Sequence, residues 1–336
     1  MSGYRPPLTI TPAMLDSVEQ IGEALGRCVA TTATELSPQL RRANRIRTIQ
    51  ASLAIENNTL NLEQVTAILE GKRVLGLPRE IQEVRNAFAA YERLPAWQAT
   101  SRADLLAAHG LLMAGLGDRA GQFRHSGVGI YRGETLLHMS PPANRVSGLV
   151  QDLLDWLARG EQHPLIAGCV FHYEFEFIHP FTDGNGRMGR LWQTLILSHW
   201  KPLFAFIPVE TVIKEQQDHY YQALAAADQV AEATPFVSFM LQALLTAVNE
   251  VALSDQVSDH VSDQVMRLLR VFQHGESLKT SELMAQLNLN HRPSFRKNYL
   301  NPALAQGLIA MSNPESPRSP AQKYQLTRKG LLALLR

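Results

Sequence analysis

Apolar residues recur at three- and four-residue spacing over 12–36 and again over 38–58, the spacing of one buried helical face. Thr11-Pro12 and Ser37-Pro38 each read as an N-cap followed by proline in the first turn, so both stretches are expected to start as helices. The same pattern predicts helices near 61–70, 77–94, 101–115 and 145–159. On the last of these Val146, Leu149, Val150, Leu153, Leu154 and Leu157 share a face. Between 121 and 142 the period changes. Gly121, Gly127, Gly129 and Gly133 punctuate two short β-prone pieces, 128–131 and 135–138, and Pro141-Pro142 closes them, which predicts a hairpin or flap set into a helical body. From His163 to Phe177 helical spacing returns, a glycine-rich loop is expected over 184–189, and 191–200 resumes as a buried helix.

After the helices ending near Val251 comes a repeat of Val-Ser-Asp-Gln/His. Its Ser-Asp pairs compete with the backbone, so 253–265 is expected to be a linker with nascent helix. The tail reads as helices over 264–273, 280–287 and 292–306, then a β-ribbon from 308–311 and 323–326, the order of a winged helix-turn-helix. The expected organisation is an N-terminal helical region (1–95), a core (96–252), the linker (253–265) and a winged-helix-like unit (266–336).

The 336-residue length allows two or three units, and 45% hydrophobic with 19% charged residues is a globular balance. No apolar run of about eighteen residues and no signal-peptide pattern are evident, which places the chain in the cytoplasm as an expectation. Cys28 and Cys169 are the two cysteines, too few and too far apart for a disulfide framework or a zinc site, and both read as buried, inert thiols. A net charge of +1 conceals +8 on residues 264–336 against −7 on the rest, which raises a nucleic acid or an acidic protein as a partner.

The segment that carries chemistry is His179-Pro-Phe-Thr-Asp-Gly-Asn-Gly-Arg-Met-Gly-Arg190. Its Gly184-x-Gly186-x-x-Gly189 spacing imitates a dinucleotide fingerprint, but the approach is helical where that fingerprint needs a strand. Glycines opening onto a helix instead offer a row of backbone N–H groups to phosphate. Arg187 and Arg190, three residues apart, bring planar donors to a polyphosphate, and Asp183 offers a hard oxygen to Mg²⁺. His179 can take a proton from an attacking hydroxyl. Singly, a His before Pro is a packing residue and an Asp before Gly a turn former. Together within twelve residues, a base, a metal ligand, an anion cradle and two arginines point to phosphate chemistry.

HPFTDGNGRMGR resembles the Fic signature HPFxDGNGRxxR at every defined position, and the likeness extends over about 100–230 through Gly121-Gln-Phe-Arg124, the flap and His172–Ile178. Arg5-Pro-Pro-Leu resembles that family's N-terminal extension. The resemblance implies a mainly α fold with a β-hairpin flap that clamps an extended segment of a target protein. The implied activity is AMP transfer from ATP to a Tyr, Thr or Ser hydroxyl with release of pyrophosphate. It makes His179 the general base and Asp183 the ligand of Mg²⁺ or Mn²⁺. Gly184, Asn185 and Gly186 would hold the α-phosphate, Arg187 and Arg190 the outer phosphates, with Met188 and Gly189 in the same binding segment. Phe181 would anchor the loop in the core. Tyr220, Tyr221 and Asp228 resemble adenosine-contacting positions, although Asp228 stands where some members have Asn. Ser52-Leu-Ala-Ile-Glu56-Asn57 resembles the inhibitory sequence [S/T]xxxE[G/N], which implies a helix whose Glu56 pairs with Arg190. The resemblance admits self-modification and a homodimer. The alternatives are AMP removal or another nucleotide transfer at the same site, and a DNA-binding regulator in which 291–297 is a basic recognition helix, the less favoured reading.

Overall fold

The computed structural model describes residues 3–31, 36–132, 135–258, 262–272, 277–317, 319 and 321–334. It is mainly helical and divides into two compact units, Met1–Glu23 with Asn44–Ala247, and Ala24–Ala43 with Val248–Arg336. The helices expected for the N-terminal region and for the core thus fall largely in one unit, and the division runs through α1 (Pro12–Thr31) and α2 (Pro38–Ile55).

Local chemistry accounts for where these helices start. Thr11 Oγ1 accepts the Met14 N–H at 3.3 Å and Ser37 Oγ accepts the Leu40 N–H at 3.2 Å. Asn61 and Gln64 form a reciprocal capping box at the start of α3 (Leu62–Leu69). α4 (Pro78–Glu92) opens on proline, and Ser101 caps α5 (Arg102–Leu112). The flap is an antiparallel hairpin of β1 (Gly129–Arg132) and β2 (Thr135–Met139), with a register shift between Ile130 and Tyr131; its tip at 133–134 lies outside the described residues. α6 (Ala143–Arg159) ends on Gly160 in the left-handed region, a stop that needs no Cβ.

α7 (Pro164–Ile178) and α8 (Asn185–Trp200) form a helical hairpin at the centre of the first unit. α7 is buried on nearly every side, including the two carboxylates Glu174 and Glu176, with Phe177 as its exposed exception. Cys28 and Cys169 are not in a disulfide and are buried as expected, and burial raises the Cys169 thiol far above its ordinary range. The unit is completed by α9 (Val209–Glu215), α10 (Gln217–Val230) and the first part of α11 (Thr234–Ser258). Over Thr234–Ala252 α11 is long and apolar enough to pass for a membrane span, contrary to the expected lack of such a run; 61% of that window is buried inside the protein, as for a core helix.

α11 continues past Val251 to Ser258, so the first part of the expected 253–265 linker is helical. Residues 259–261 lie outside the described residues. In the second unit α12 (Asp263–Leu269), β3 (Leu278–Lys279), α13 (Thr280–Gln286), α14 (Arg292–Phe295), a π turn over Arg296–Leu300 and α15 (Asn301–Ala305) precede the β4 (Ile309–Met311) and β5 (Lys323–Leu326) ribbon. The sheet order is β3-β5-β4, all antiparallel, and Leu268, Leu283, Phe295, Leu300 and Tyr324 form its core. β3 and the closing α16 (Arg328–Leu334) go beyond the helices and ribbon expected from sequence. Arg292, Arg296 and Lys297 are exposed on the helix expected to be the recognition helix.

Candidate active site

His179 ends α7 with φ 48°, a left-handed conformation uncommon for a residue with a Cβ, and the chain turns there into a six-residue loop. The loop is tied from three directions. Phe181 is fully buried, as expected, and stacks on His109 with centroids 3.6 Å apart and planes 3° off parallel. His109 Nδ1 accepts the Gly121 N–H at 2.9 Å, which leaves Nε2–H to donate to the Asp183 carbonyl at 3.0 Å. Burial pushes the His109 imidazole down to about 4, so it works here as a neutral strut. Asn185 closes the loop on itself: its Oδ1 accepts the Phe181 N–H and its Nδ2 donates to the Phe181 carbonyl, both at 2.9 Å.

The third tie is Arg124. Its Nε donates to the His179 carbonyl at 2.7 Å, and its two terminal nitrogens donate to Ser126 (2.8 Å), Pro141 (2.6 Å) and Ile178 (3.2 Å) carbonyls. One planar guanidinium therefore joins the chain on both sides of the flap to the end of α7. Arg124→Lys should loosen the flap roots, because an ammonium cannot hold this planar fork. Losing two or more charge-assisted bonds predicts about a tenfold or greater fall in transfer to a protein target, with ATP affinity changed less. The two are separated by target modification and ATP binding measured side by side.

The expected glycine loop over 184–189 is a correction. α8 begins at Asn185, so only Gly184, at φ 82°, is a turn residue. Met188 N–H makes the first intrahelical bond, to Gly184 O at 3.0 Å, and Gly184 supplies no side-chain cap. The amides of Asn185, Gly186 and Arg187 thus point out of the helix start as an anion cradle with the positive end of the helix dipole behind them. Met188 and Gly189 do not belong to it. The Met188 side chain is wholly buried and its amide is engaged, while Gly189 is there for space: a Cβ would come 2.8 Å from His172 Cδ2 and 3.2 Å from Glu176 Oε1. The Asn185 side chain is likewise spent on the loop, which leaves its backbone N–H as the group it offers.

Arg187 and Arg190 are buried, and both already face carboxylates. Arg187 reaches Asp183 Oδ1 at 3.1 Å and Glu83 Oε1 at 3.4 Å, and Asp183 Oδ2 also accepts from Arg79 at 3.1 Å. Arg190 donates through Nε to Ser52 Oγ and through a terminal nitrogen to Ser52 O, both at 3.0 Å, and to Glu56 Oε1 at 2.8 Å. Burial alone would lower the Arg190 pKa, but the facing Glu56 carboxylate outweighs it and holds the guanidinium firmly charged. Glu56 sits one residue past α2, and Asn57 follows in the left-handed region at φ 67°. Gly186 makes room for this pair, since a Cβ at that position would overlap Glu56 Oε1.

A cavity of about 200 Å³ opens beside this pair, lined among others by Glu56, His179, Gly186, Arg190, Tyr221 and Asp228. Tyr220 forms part of the wall but is buried: His172 Nδ1–H donates to Gln193 Oε1 at 2.7 Å, so His172 Nε2 accepts the Tyr220 hydroxyl at 3.2 Å. The Tyr220 hydroxyl is therefore engaged inside the protein, while the residue lines the cavity. Burial, with the Arg190 charge, pushes His172 down to about 3 and keeps it neutral. Asp228 Oδ1 accepts the Tyr173 hydroxyl at 3.0 Å, and Tyr221 is 38% exposed at the rim. Asp183, half exposed, presents the single carboxylate that Mg²⁺ takes when phosphates and water complete its shell, so the donor set fits such an ion. Among the described residues no cluster of three or more His, Cys, Asp or Glu forms an all-protein metal site.

Residues 99–197 match the family model described as the Fic/DOC family, and residues 263–327 match that of the Filamentation induced by cAMP protein Fic-like, C-terminal domain. A solved Fic family protein from Desulfovibrio desulfuricans G20 is 61% identical, with 96% of this chain and 98% of that one covered at a TM-score of 0.73. This chain belongs to the Fic family. Fic-1 from Caenorhabditis elegans shares the Fic fold at 25% identity and a TM-score of 0.60, covering 73% of this chain and 74% of that one. Among curated proteins, the protein adenylyltransferase fic-1 of Caenorhabditis elegans is 30% identical over 241 residues, 68% of this chain and 44% of its own length. The protein adenylyltransferase Fic of Drosophila willistoni is 29% identical over 233 residues, 64% and 43% respectively. The chain spans less than half the length of these curated relatives.

Three participants in this Fic site carried no role in the sequence reading. Arg124 was legible as part of Gly121-Gln-Phe-Arg124 but not as the clamp of the flap. His109 gave no signal beyond its helix position, and Glu83 lies on α4, about a hundred residues before the arginine it faces.

Proposed function

We propose that this Fic protein is a protein adenylyltransferase, transferring AMP from ATP to a Tyr, Thr or Ser hydroxyl of a target protein with release of pyrophosphate, and held back by Glu56. The observation that carries the reading is the meeting of His179, the α8 amide cradle and the Glu56–Arg190 pair on one cavity. The adenosine would lie against Tyr221 and Asp228, with the α-phosphate on the amides of Asn185 and Gly186. The target is expected as an extended segment along the flap.

The chemistry follows from those positions. His179 takes the proton from the target hydroxyl as its oxygen attacks the α-phosphorus, and the bond to the bridging oxygen of pyrophosphate breaks. The amide cradle faces the α-phosphate oxygens, where charge develops, and Arg187 and Arg190 bind the outer phosphates that leave. A divalent cation bound at Asp183 would neutralise phosphate charge. Glu56 occupies a donor that the γ-phosphate needs, so ATP bound beside it is held away from the in-line pose.

The assay is transfer of AMP to lysate proteins or to the chain itself, read by intact mass and site mapping. Asp183→Ala is expected to lower turnover about tenfold or more and to flatten the dependence on divalent cation. Full activity with a chelator present would remove Asp183 and the metal from this account.

A further inference from the structure

We propose that Glu176 is the positioning residue of the base, holding the proton on His179 Nδ1 so that Nε2 is free to receive the one from the target hydroxyl. The proposal rests on the reading of His179 given above. Glu176 stands one turn before His179 on α7, and the left-handed turn at His179 brings the imidazole back over it. Glu176 Oε2 lies 4.0 Å from His179 Nδ1, and Oε1 lies 3.9 Å from His172 Nε2. Separations of this size tighten when a reacting complex forms.

Two features argue that this carboxylate serves a purpose in the site. It is 9% exposed on a helix buried on nearly every side, a placement that disfavours an ionised group unless its charge is used. Its place is also built: α8 approaches through Gly189, where any Cβ would press on Glu176 Oε1 and His172. His172 offers it no proton, because Nδ1–H is given to Gln193 and Nε2 accepts from Tyr220. Of the two imidazoles beside the carboxylate, His179 is thus the one with a proton to give it.

Other charged and titratable groups surround the base. Arg124 donates to the His179 carbonyl, Asp183 in the loop pairs with Arg187, and Glu56, Tyr173, Arg190, Tyr220, Tyr221 and Asp228 line the same cavity, with the Arg190 charge also acting on Glu176. A negative charge at Nδ1 favours the Nδ1–H tautomer and stabilises the imidazolium formed when the hydroxyl proton arrives at Nε2.

The test combines NMR of the histidine ring with a pH profile. In the full chain, ring-nitrogen NMR should find His179 as the Nδ1–H tautomer; the Nε2–H tautomer would overturn the proposal without any variant. In Glu176→Gln the His179 pKa should fall by about one unit. With Glu56→Gly as the common background, Glu176→Gln should lower kcat about tenfold and move the acid limb of kcat/KM to lower pH, with KM for ATP little changed. An unmoved His179 titration overturns the proposal. So does a loss seen wholly as a raised KM that also abolishes discrimination between ATP and 2′-deoxy-ATP, which would make Glu176 a ribose ligand. Because the NMR readings need no turnover, a chain inactive in AMP transfer would contradict the proposed function while still deciding the role of Glu176.

Discussion

Replacing His179 with Ala in the Glu56→Gly background is expected to lower AMP transfer by ~10²- to 10⁴-fold, the contribution of a positioned general base. The fold should survive. The His179 side chain is partly exposed at the cavity, whereas the loop is held by groups that this substitution leaves in place: the Phe181–His109 stack, the Asn185 bridge to Phe181 and the Arg124 bond to the His179 carbonyl. The substitution does trade a left-handed His for a left-handed Ala, a cost on the order of 1 kcal/mol or less, since both carry a Cβ. Thermal unfolding measured beside the assay separates the two effects. A folded variant with undiminished transfer would remove His179 from the mechanism.

Glu56→Gly should act in the opposite direction, raising AMP transfer and self-modification about ten- to a hundred-fold. Arg190 holds Glu56 at 2.8 Å from a wholly buried position, so an incoming γ-phosphate competes with a carboxylate for the same nitrogen. A hydrogen bond to a charged group is worth about 1.5–3 kcal/mol, which sets that range. Removing one partner of a buried ion pair is ordinarily destabilising. Here Arg190 keeps its two bonds to Ser52, and the γ-phosphate supplies the missing anion when ATP is bound. Glu56 itself is about one-third exposed, which softens the cost further. Label incorporation is compared for the unmodified chain, Glu56→Gly, and Glu56→Gly with His179→Ala at equal protein and cation. Equal or lower incorporation by the single variant contradicts the inhibitory role, and incorporation that survives in the double variant does not come from this site.

Much of the site was legible because its parts are contiguous. His179, Asp183, the cradle and both arginines lie within twelve residues, and helical spacing on either side fixes a hairpin that must bring them to one end. The Glu56–Arg190 pair, 134 residues apart, was readable only through resemblance, since no local pattern joins the two. The loop boundary was misread for a physical reason. Gly186 and Gly189 look like helix breakers by propensity, yet both lie inside α8, where they leave room for Glu56 and for Glu176 with His172. Close packing decided those positions, and packing is invisible to a pattern of residue types. Met188 was misjudged in the same way: sequence placed it beside the site, and three dimensions turned its side chain into the core. In the second unit the short β3 and the π turn over Arg296–Leu300 were beyond reading, because two residues of strand carry no alternation and a π turn has no periodicity of its own.

The central claim is that this site moves the AMP portion of ATP. The most direct measurement gives the Glu56→Gly chain ATP labelled either at the α-phosphorus or at the γ-phosphorus, with Mg²⁺ and a lysate as the source of target hydroxyls. The account predicts that the α label becomes protein-bound, with a mass increase equal to one AMP, while the γ label leaves as pyrophosphate. Protein-bound γ label in excess of that found in the same lysate with the Glu56→Gly, His179→Ala chain, or no such excess from either position, would contradict it.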